Sequence, residues 1–129
     1  IFISNMASEI PFVKMHGLGN DMILIYSHFI ENKYNVNQLV EYLCNRKTGV
    51  GADGVILYST SYSSLTEGIS REKDSESDVK MRYFNSNGAE GEMCGNGIRC
   101  LAKLVYEKKL LHPFVYKEKE FMVRTAKRI

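Results

Sequence analysis

Runs of apolar residues, separated by polar ones or alternating with them, predict several short strands along the chain. Residues 10–16 and 22–26 are rich in β-forming side chains and flank the loop HGLGND, which predicts two strands joined by a glycine turn. Residues 55–58 predict a third strand. In residues 79–84 apolar side chains alternate with Lys and Arg, which predicts a half-buried fourth strand. Two further strands are predicted at residues 114–116 and 121–124.

Two segments have the periodicity of amphipathic helices. Asn37 is predicted to cap the first helix, whose apolar face comprises Leu39, Val40, Leu43 and Cys44. The second helix is predicted over residues 96–109, with an apolar face made by Ile98, Leu101, Ala102 and Val105 and widened by Cys100 and Leu104. A face this broad predicts a helix enclosed by other elements rather than resting on a sheet. The pattern therefore indicates an α+β fold with a central helix.

The remaining segments set the expected domain boundaries. Residues 1–9 are predicted to be a disordered or extraneous N-terminus, and residues 10–129 to form one domain. Residues 59–78 are Ser-rich and charged, which predicts a long exposed loop within that domain.

The composition argues against several classes of protein. With 129 residues, 44% hydrophobic and 25% charged, the chain is typical of a globular domain. A net charge of +2 does not favour a nucleic acid or a membrane surface as a partner, and no apolar run approaches the length of a membrane span. Three cysteines do not make a disulfide framework, so a reducing, cytoplasmic location is expected.

Two motifs suggest ligands that their context does not favour. Residues 49–54, GVGADG, match G-x-G-x-x-G, but a dinucleotide site needs a strand before the motif and a helix after it, and here the predicted order is reversed. Cys94, Cys100 and His112 do not have the spacing of a common zinc site. Neither a cofactor nor a metal is predicted.

Cys94, in MCGNGIRC, is the candidate for chemistry. It lies at or beside a predicted helix N-terminus, where free backbone N–H groups favour the thiolate. Gly95 and Gly97 have no side chains, so a ligand can come close to the backbone, and the same N–H groups suit a carboxylate. The alternative is an incidental buried cysteine at a glycine-rich helix start. These residues alone leave both interpretations open.

Four motifs occur together along the chain: KMHGLGND, GVGADG, FNSNGAE and MCGNGIRC. Their sequence and order resemble the diaminopimelate epimerase family. The resemblance implies two similar α+β domains, each with strands wrapped around a central helix, and each supplying one cysteine to the cleft between them. This chain resembles the N-terminal half, so the C-terminal domain is expected to be absent from it. A homodimer of the full-length protein is compatible with the resemblance.

The resemblance also implies a reaction and a set of site residues. The family interconverts LL- and meso-diaminopimelate, in lysine and peptidoglycan precursor synthesis, without a cofactor. Two cysteines on opposite faces of the α-carbon exchange its proton, and Cys94 matches one of them. Asn20 and Asn85 match residues that contact the substrate, with its distal amino acid end as their expected target. Gly95 and Asn96 carry the N–H groups expected to stabilise the α-carboxylate.

Related families and other protein classes remain as alternatives. Proline and hydroxyproline racemase-like proteins usually have His at the position of Asn96, and phenazine-biosynthesis-like relatives lack the cysteine. Some diaminopimelate epimerases have a substrate-contacting glutamine at the position of Gly54, and that contact is not carried over. A thiol redox sensor would need a resolving cysteine near Cys94. The last alternative is a non-catalytic fragment that contains a thiol.

Overall fold

The computed structural model of the chain describes residues 10–60, 79–92, 94–108 and 123–125. Within these residues one sheet contains the strands β1 (Val13–Gly17), β2 (Asn20–Tyr26), β3 (Gly54–Thr60), β4 (Val79–Asn85), β5 (Glu90–Gly91) and β6 (Val123–Arg124). The helices are α1 (Val36–Cys44) and α2 (Gly95–Glu107), with a 3₁₀ turn at Ser27–Phe29. The predicted α+β class is confirmed.

The sheet combines antiparallel and parallel pairs. Its order is β1-β2-β3-β4, and both β5 and β6 pair with the remaining edge of β4. β1 and β2 form an antiparallel hairpin, whose turn has positive φ at Leu18 (52°) and Gly19 (89°). β2 and β3 are parallel, and α1 lies in the crossover between them. β4 then runs antiparallel to β3.

The two helices cover opposite faces of this sheet. Met22 and Leu24 of β2 belong to the core cluster under α2, which includes Leu101 and Leu104. Ile23 and Ile25 belong instead to the cluster under α1. A strand that is buried on both faces reads as a continuous apolar run, which is why β2 shows no alternation in sequence.

α1 begins at a different residue from the predicted one. Asn35, not Asn37, is the N-cap, and its side-chain oxygen accepts from the Gln38 N–H at 3.1 Å. The Asn37 side chain instead donates to the Gly88 carbonyl at 2.7 Å, tying the helix to the turn after β4. Asn35 and Asn37 are two residues apart and have the same local preference for a cap, and a long-range contact decides between them. The predicted apolar face of α1 is buried as expected.

Other boundaries shift because long-range pairing overrides local composition. β1 begins at Val13 rather than at residue 10. Ser59 and Thr60, predicted to be loop, extend β3 because they pair with Lys80 and Val79 of β4. The fourth strand is not half-buried throughout, since Phe84 is 1% exposed in the cluster under α1. α2 begins one residue before its predicted start.

Several predictions lie wholly or partly outside the described residues. These are the N-terminal segment 1–9, the rest of the predicted loop at 61–78 and the strand at 114–116. The strand predicted at 121–124 is described at Val123–Arg124, which pairs in parallel with β4.

Candidate active site

Cys94 is the N-cap of α2, which agrees with its predicted position at a helix N-terminus. Its backbone is extended, with φ −137° and ψ 112°, and its sulfur accepts from the Gly97 N–H at 3.4 Å. The Cys94 carbonyl accepts the first intrahelical bond, from Ile98 N–H at 2.9 Å. The N–H groups of Gly95 and Asn96 have no acceptor among the described residues. The half-buried thiol therefore lies beside two free backbone donors.

The two glycines after Cys94 have different roles. A Cβ built on Gly95 would have no neighbour within 4 Å, so this position is open, as the sequence predicted. Gly97 is buried, and a Cβ there would lie 2.7 Å from Ile56 Cδ1 and 3.4 Å from Cys94 Cβ. The prediction that Gly97 opens the backbone to a ligand is wrong, because Gly97 lets α2 pack closely on β3.

Asn96 is held by a neighbour on the same helix. Its Oδ1 accepts from the Arg99 guanidinium, one turn further along α2. Asn96 is half-buried, whereas Arg99 is exposed. This contact fixes the amide beside the free N–H groups and brings a positive charge to the start of the helix.

Strand register gathers the predicted asparagines at one end of the sheet. Asn20 begins β2, and Asn85 ends β4 opposite Gly54, the first residue of β3. Because β4 is antiparallel to β2 and β3, these three ends coincide. Alternation along the strands directs Asn20 and Asn85 to the face that packs on α2.

The N-terminus of α2 lies at the same end. Asn96 and Cys100 line a groove together with Gly17 and Leu18 of the hairpin turn that leads into Asn20. The five predicted site residues thus occupy one end of one sheet face. Asn85 also contributes to its own turn, since its Nδ2 donates to the Ala89 carbonyl at 3.4 Å.

The other two cysteines are buried in the two core clusters. Cys44 is 4% exposed, and burial raises the pKa of its thiol to about 11. Cys100 is 5% exposed, and burial, followed by the charge of Cys94, raises the pKa of its thiol as well. Both lie on the apolar helix faces predicted from the sequence, and their burial confirms that placement.

An acidic cluster beside the site was missed in the sequence. Asp21 follows Asn20, and Asp53 precedes Gly54, and the two carboxylates bind each other's backbone N–H groups. Arg46 donates to Asp21 at 2.8 and 2.9 Å and to Asp53 at 3.1 Å. The hydrogen bond from Arg46 holds the pKa of the Asp21 carboxyl well below its usual range. Each of the motifs HGLGND and GVGADG contains an Asp, which was the available signal, but the pairing of the two carboxylates depends on tertiary structure.

The structure also bears on the two motifs whose context in the sequence did not favour a ligand. Residues 49–54 connect α1 to β3, so the order opposite to a dinucleotide site is confirmed. Val50 and Gly51 donate to the Leu43 carbonyl and terminate α1. Within the described residues no three His, Cys, Asp or Glu side chains could share a metal ion, and His112 lies outside them. Neither described helix is long and apolar enough to cross a membrane.

A sequence model of the diaminopimelate epimerase family matches residues 12–127. The chain belongs to this family. Diaminopimelate epimerase from Alkaliphilus metalliredigens is 44% identical over 108 residues, which cover 84% of this chain and 34% of that protein. The same enzyme from Bacillus cytotoxicus is 41% identical over 112 residues, again 84% of this chain and 34% of the relative.

A diaminopimelate epimerase from Methanococcus maripaludis is 44% identical over 101 residues, or 77% of this chain and 31% of that protein. The chain therefore spans about a third of the length of the diaminopimelate epimerases that it matches. The matched region contains all four motifs and every site residue predicted from them.

Proposed function

We propose that this chain is the N-terminal half of a cofactor-independent diaminopimelate epimerase, and that Cys94 is one of its two acid–base groups. The observation that carries the proposal is the position of Cys94 at the N-cap of α2, beside two free N–H groups and at the sheet end that carries Asn20 and Asn85. Membership of the family supports LL- and meso-diaminopimelate as the substrates, and lysine and peptidoglycan precursor synthesis as the setting.

Cys94 exchanges the α-proton on one face of the substrate. As a thiolate it removes the proton, and as a thiol it returns one when the reaction runs in the other direction. The Gly97 N–H donates to the Cys94 sulfur at 3.4 Å and holds it at the N-terminus of α2. A second cysteine, from the C-terminal domain, acts on the opposite face.

The free N–H groups of Gly95 and Asn96 bind the α-carboxylate. Negative charge moves from the α-carbon onto this carboxylate as the proton leaves, so fixed donors at that point stabilise the transition state more than the ground state. Because Gly95 has open space around its Cα, the carboxylate can reach the backbone without meeting a side chain. Asn20 and Asn85 hold the distal amino acid group, since an amide supplies both a donor and an acceptor to a zwitterion.

The proposal includes a domain in which strands surround a central helix, and a second domain like it. Side chains of β1, β2, β3, β4 and β6 all contribute to the cluster against α2, which supports strands wrapped around a central helix. A second, similar domain would close the cleft over Cys94, and the short span of the chain relative to its relatives supports this. A homodimer of the full-length protein, meaning this chain together with that domain, is compatible with the proposal. The three free thiols support a cytoplasmic location.

The test is an epimerase assay of the full-length protein with LL-diaminopimelate in deuterated water. The expected result is formation of the meso isomer with solvent deuterium at the inverted α-carbon. Proline and hydroxyproline are assayed in parallel. Inversion of either of these without turnover of diaminopimelate would assign the protein to the racemase branch, and no turnover of any of them would reject the enzymatic proposal.

A further inference from the structure

Tyr83 lies near the end of the sheet that carries Asn20 and Asn85, and the sequence predicted no role for it. It is on β4, two residues before Asn85 and on the same strand face. The side chain is half-buried and borders the cluster under α2, as Cys94 does. Its partners across the sheet are Ile56 in β3 and Gly91 in β5.

The Tyr83 ring fills the space above two glycines. A Cβ built on Gly54 would lie 2.7 Å from Tyr83 Cε1 and 2.9 Å from its hydroxyl oxygen. A Cβ built on Gly91 would lie 3.0 Å from Cδ2 and 3.4 Å from Cε2, on the opposite edge of the ring. The absence of side chains at both positions therefore lets the ring lie flat between β3 and β5, and this fixes where the hydroxyl is.

The hydroxyl lies over Gly54, between the strand ends that carry the two asparagines. Gly54 pairs with Asn85 on one side and with Met22, two residues after Asn20, on the other. Among the described residues the Tyr83 hydroxyl has no hydrogen-bond partner. A half-buried hydroxyl without a partner among these residues is available to a ligand.

The charges nearby determine what the hydroxyl can do. Burial raises the pKa of the Tyr83 phenol above its ordinary value, and the negative charges of Cys94 and Asp53 raise it further. The phenol is therefore neutral at physiological pH and offers a donor. Asn85 uses its Nδ2 on the Ala89 carbonyl, which leaves its Oδ1 to accept from an ammonium group.

We propose that the Tyr83 hydroxyl donates a hydrogen bond to the distal carboxylate of the substrate and makes the site selective for ligands that carry one. This inference rests on the proposed function and deepens it, because it divides the distal zwitterion between two neighbours on β4. Asn85 accepts from the ammonium group, and Tyr83 donates to the carboxylate. Gly54 is then the residue that makes room for the selective side chain.

The test compares Tyr83→Phe with the wild type in the full-length protein. The substitution keeps the ring that packs on the glycines and removes only the hydroxyl. KM for diaminopimelate is expected to rise by roughly 10- to 100-fold, the usual worth of a hydrogen bond to a charged group, while kcat changes much less. Tyr58→Phe is the matched control, since Tyr58 lies on the same sheet face, is 9% exposed and is four residues along β3 from Gly54.

Two competitive inhibitors separate the distal groups. L-α-aminopimelate keeps the distal carboxylate and lacks the distal amino group, whereas L-lysine keeps the amino group and lacks that carboxylate. Tyr83→Phe is expected to weaken inhibition by aminopimelate and to leave inhibition by lysine unchanged. An equal loss for both inhibitors would assign Tyr83 a structural role, and so would an unchanged KM for diaminopimelate.

The controls keep this result distinct from a failure of the proposed function. A wild type that inverts diaminopimelate, paired with a Tyr83→Phe variant of unchanged KM and selectivity, overturns the inference about Tyr83 alone. A wild type without epimerase activity overturns the proposed function and the inference with it. Thermal unfolding of each variant checks that the comparison is between folded proteins.

Discussion

Asp21 and Asp53 each accept a hydrogen bond from the other's backbone N–H, at 3.0 Å in both directions. The pair joins the starts of β2 and β3, and Arg46 bridges both carboxylates. The motifs HGLGND and GVGADG, separated by about thirty residues in sequence, therefore form one structural unit. Because Asn20 and Gly54 are the immediate neighbours of the two aspartates, this unit fixes the edge on which the proposed distal subsite is built.

The first prediction concerns the pH dependence of this pair. The pKa of the folded Asp21 carboxyl is depressed, chiefly by its hydrogen bond from Arg46. Its contribution to stability is therefore fully present above the ordinary carboxyl range of about pH 4 and is lost as the pH falls below it. Arg46→Gln should destabilise the fold near pH 7, and the difference from wild type should shrink as the pH falls from about 4 toward 2.

Urea unfolding at several pH values between 7 and 2.5 measures this difference. Lys103→Gln is the control, because it removes an exposed ion pair, with Glu107 at 4.0 Å, that involves neither aspartate. It should behave like the wild type at every pH. A difference between Arg46→Gln and wild type that stays constant over the whole range would show that Arg46 acts by packing and not through the Asp21 charge.

The sequence predicts features that depend on local repeats, but not those that depend on contacts between distant residues. Periodicity located the apolar faces of both helices because each face is a local repeat. It could not choose between Asn35 and Asn37 as the cap of α1, since the choice depends on a contact with Gly88. Likewise the motifs identified Cys94 by its glycines, but they could not show that Gly97 packs against Ile56 while Gly95 is open. These distinctions arise only when strands far apart in sequence are brought together.

The second prediction concerns thiol reactivity. Cys94 should react first with iodoacetamide at neutral pH, because Cys44 and Cys100 are buried and burial raises the pKa of both thiols. Peptide mapping after partial alkylation measures the order. The expected preference is on the order of tenfold or more. Faster labelling of either buried cysteine in the folded protein would contradict the site assignment.

The third prediction separates the two glycines of the helix start. Gly97→Ala places a Cβ against Ile56 and Cys94, and it should destabilise the protein by about 1 kcal/mol net, since overpacking outweighs the gain in helix propensity. It should also displace Cys94 and alter its alkylation rate. Gly95→Ala has open space and is the matched control, with an expected change within about 0.5 kcal/mol. Equal losses in denaturant unfolding would refute the packing role of Gly97.

The fourth prediction concerns Cys94→Ala in the full-length protein. Epimerisation should fall by roughly a thousandfold or more, because one face of the α-carbon loses its acid–base group. The fold should remain, since the one hydrogen bond of the Cys94 sulfur to the described residues is weak, from Gly97 N–H at 3.4 Å. Exchange of the α-hydrogen with solvent should persist for the stereoisomer that the second cysteine deprotonates. Turnover near the wild-type rate would reject the two-cysteine mechanism.

The last prediction is that the 129-residue chain alone does not invert diaminopimelate. The mechanism needs a second acid–base group facing Cys94 across the α-carbon. Cys100 cannot supply it, because it lies on the same helix, is 5% exposed and packs in the core. In the proposed function the second wall of the cleft comes from a C-terminal domain, and without that wall water weakens the N–H donors at Gly95 and Asn96.

The measurement follows solvent deuterium into the α-position with the purified chain and, as a control, with the full-length protein. The chain should still alkylate at Cys94 in preference to the buried cysteines, because the position of this thiol depends only on α2 and the strands beneath it. Preferential labelling without stereoinversion would separate an intact half-site from an incomplete mechanism. Stereoinversion by the chain alone, at the rate of the full-length protein, would mean that the second base lies within these residues.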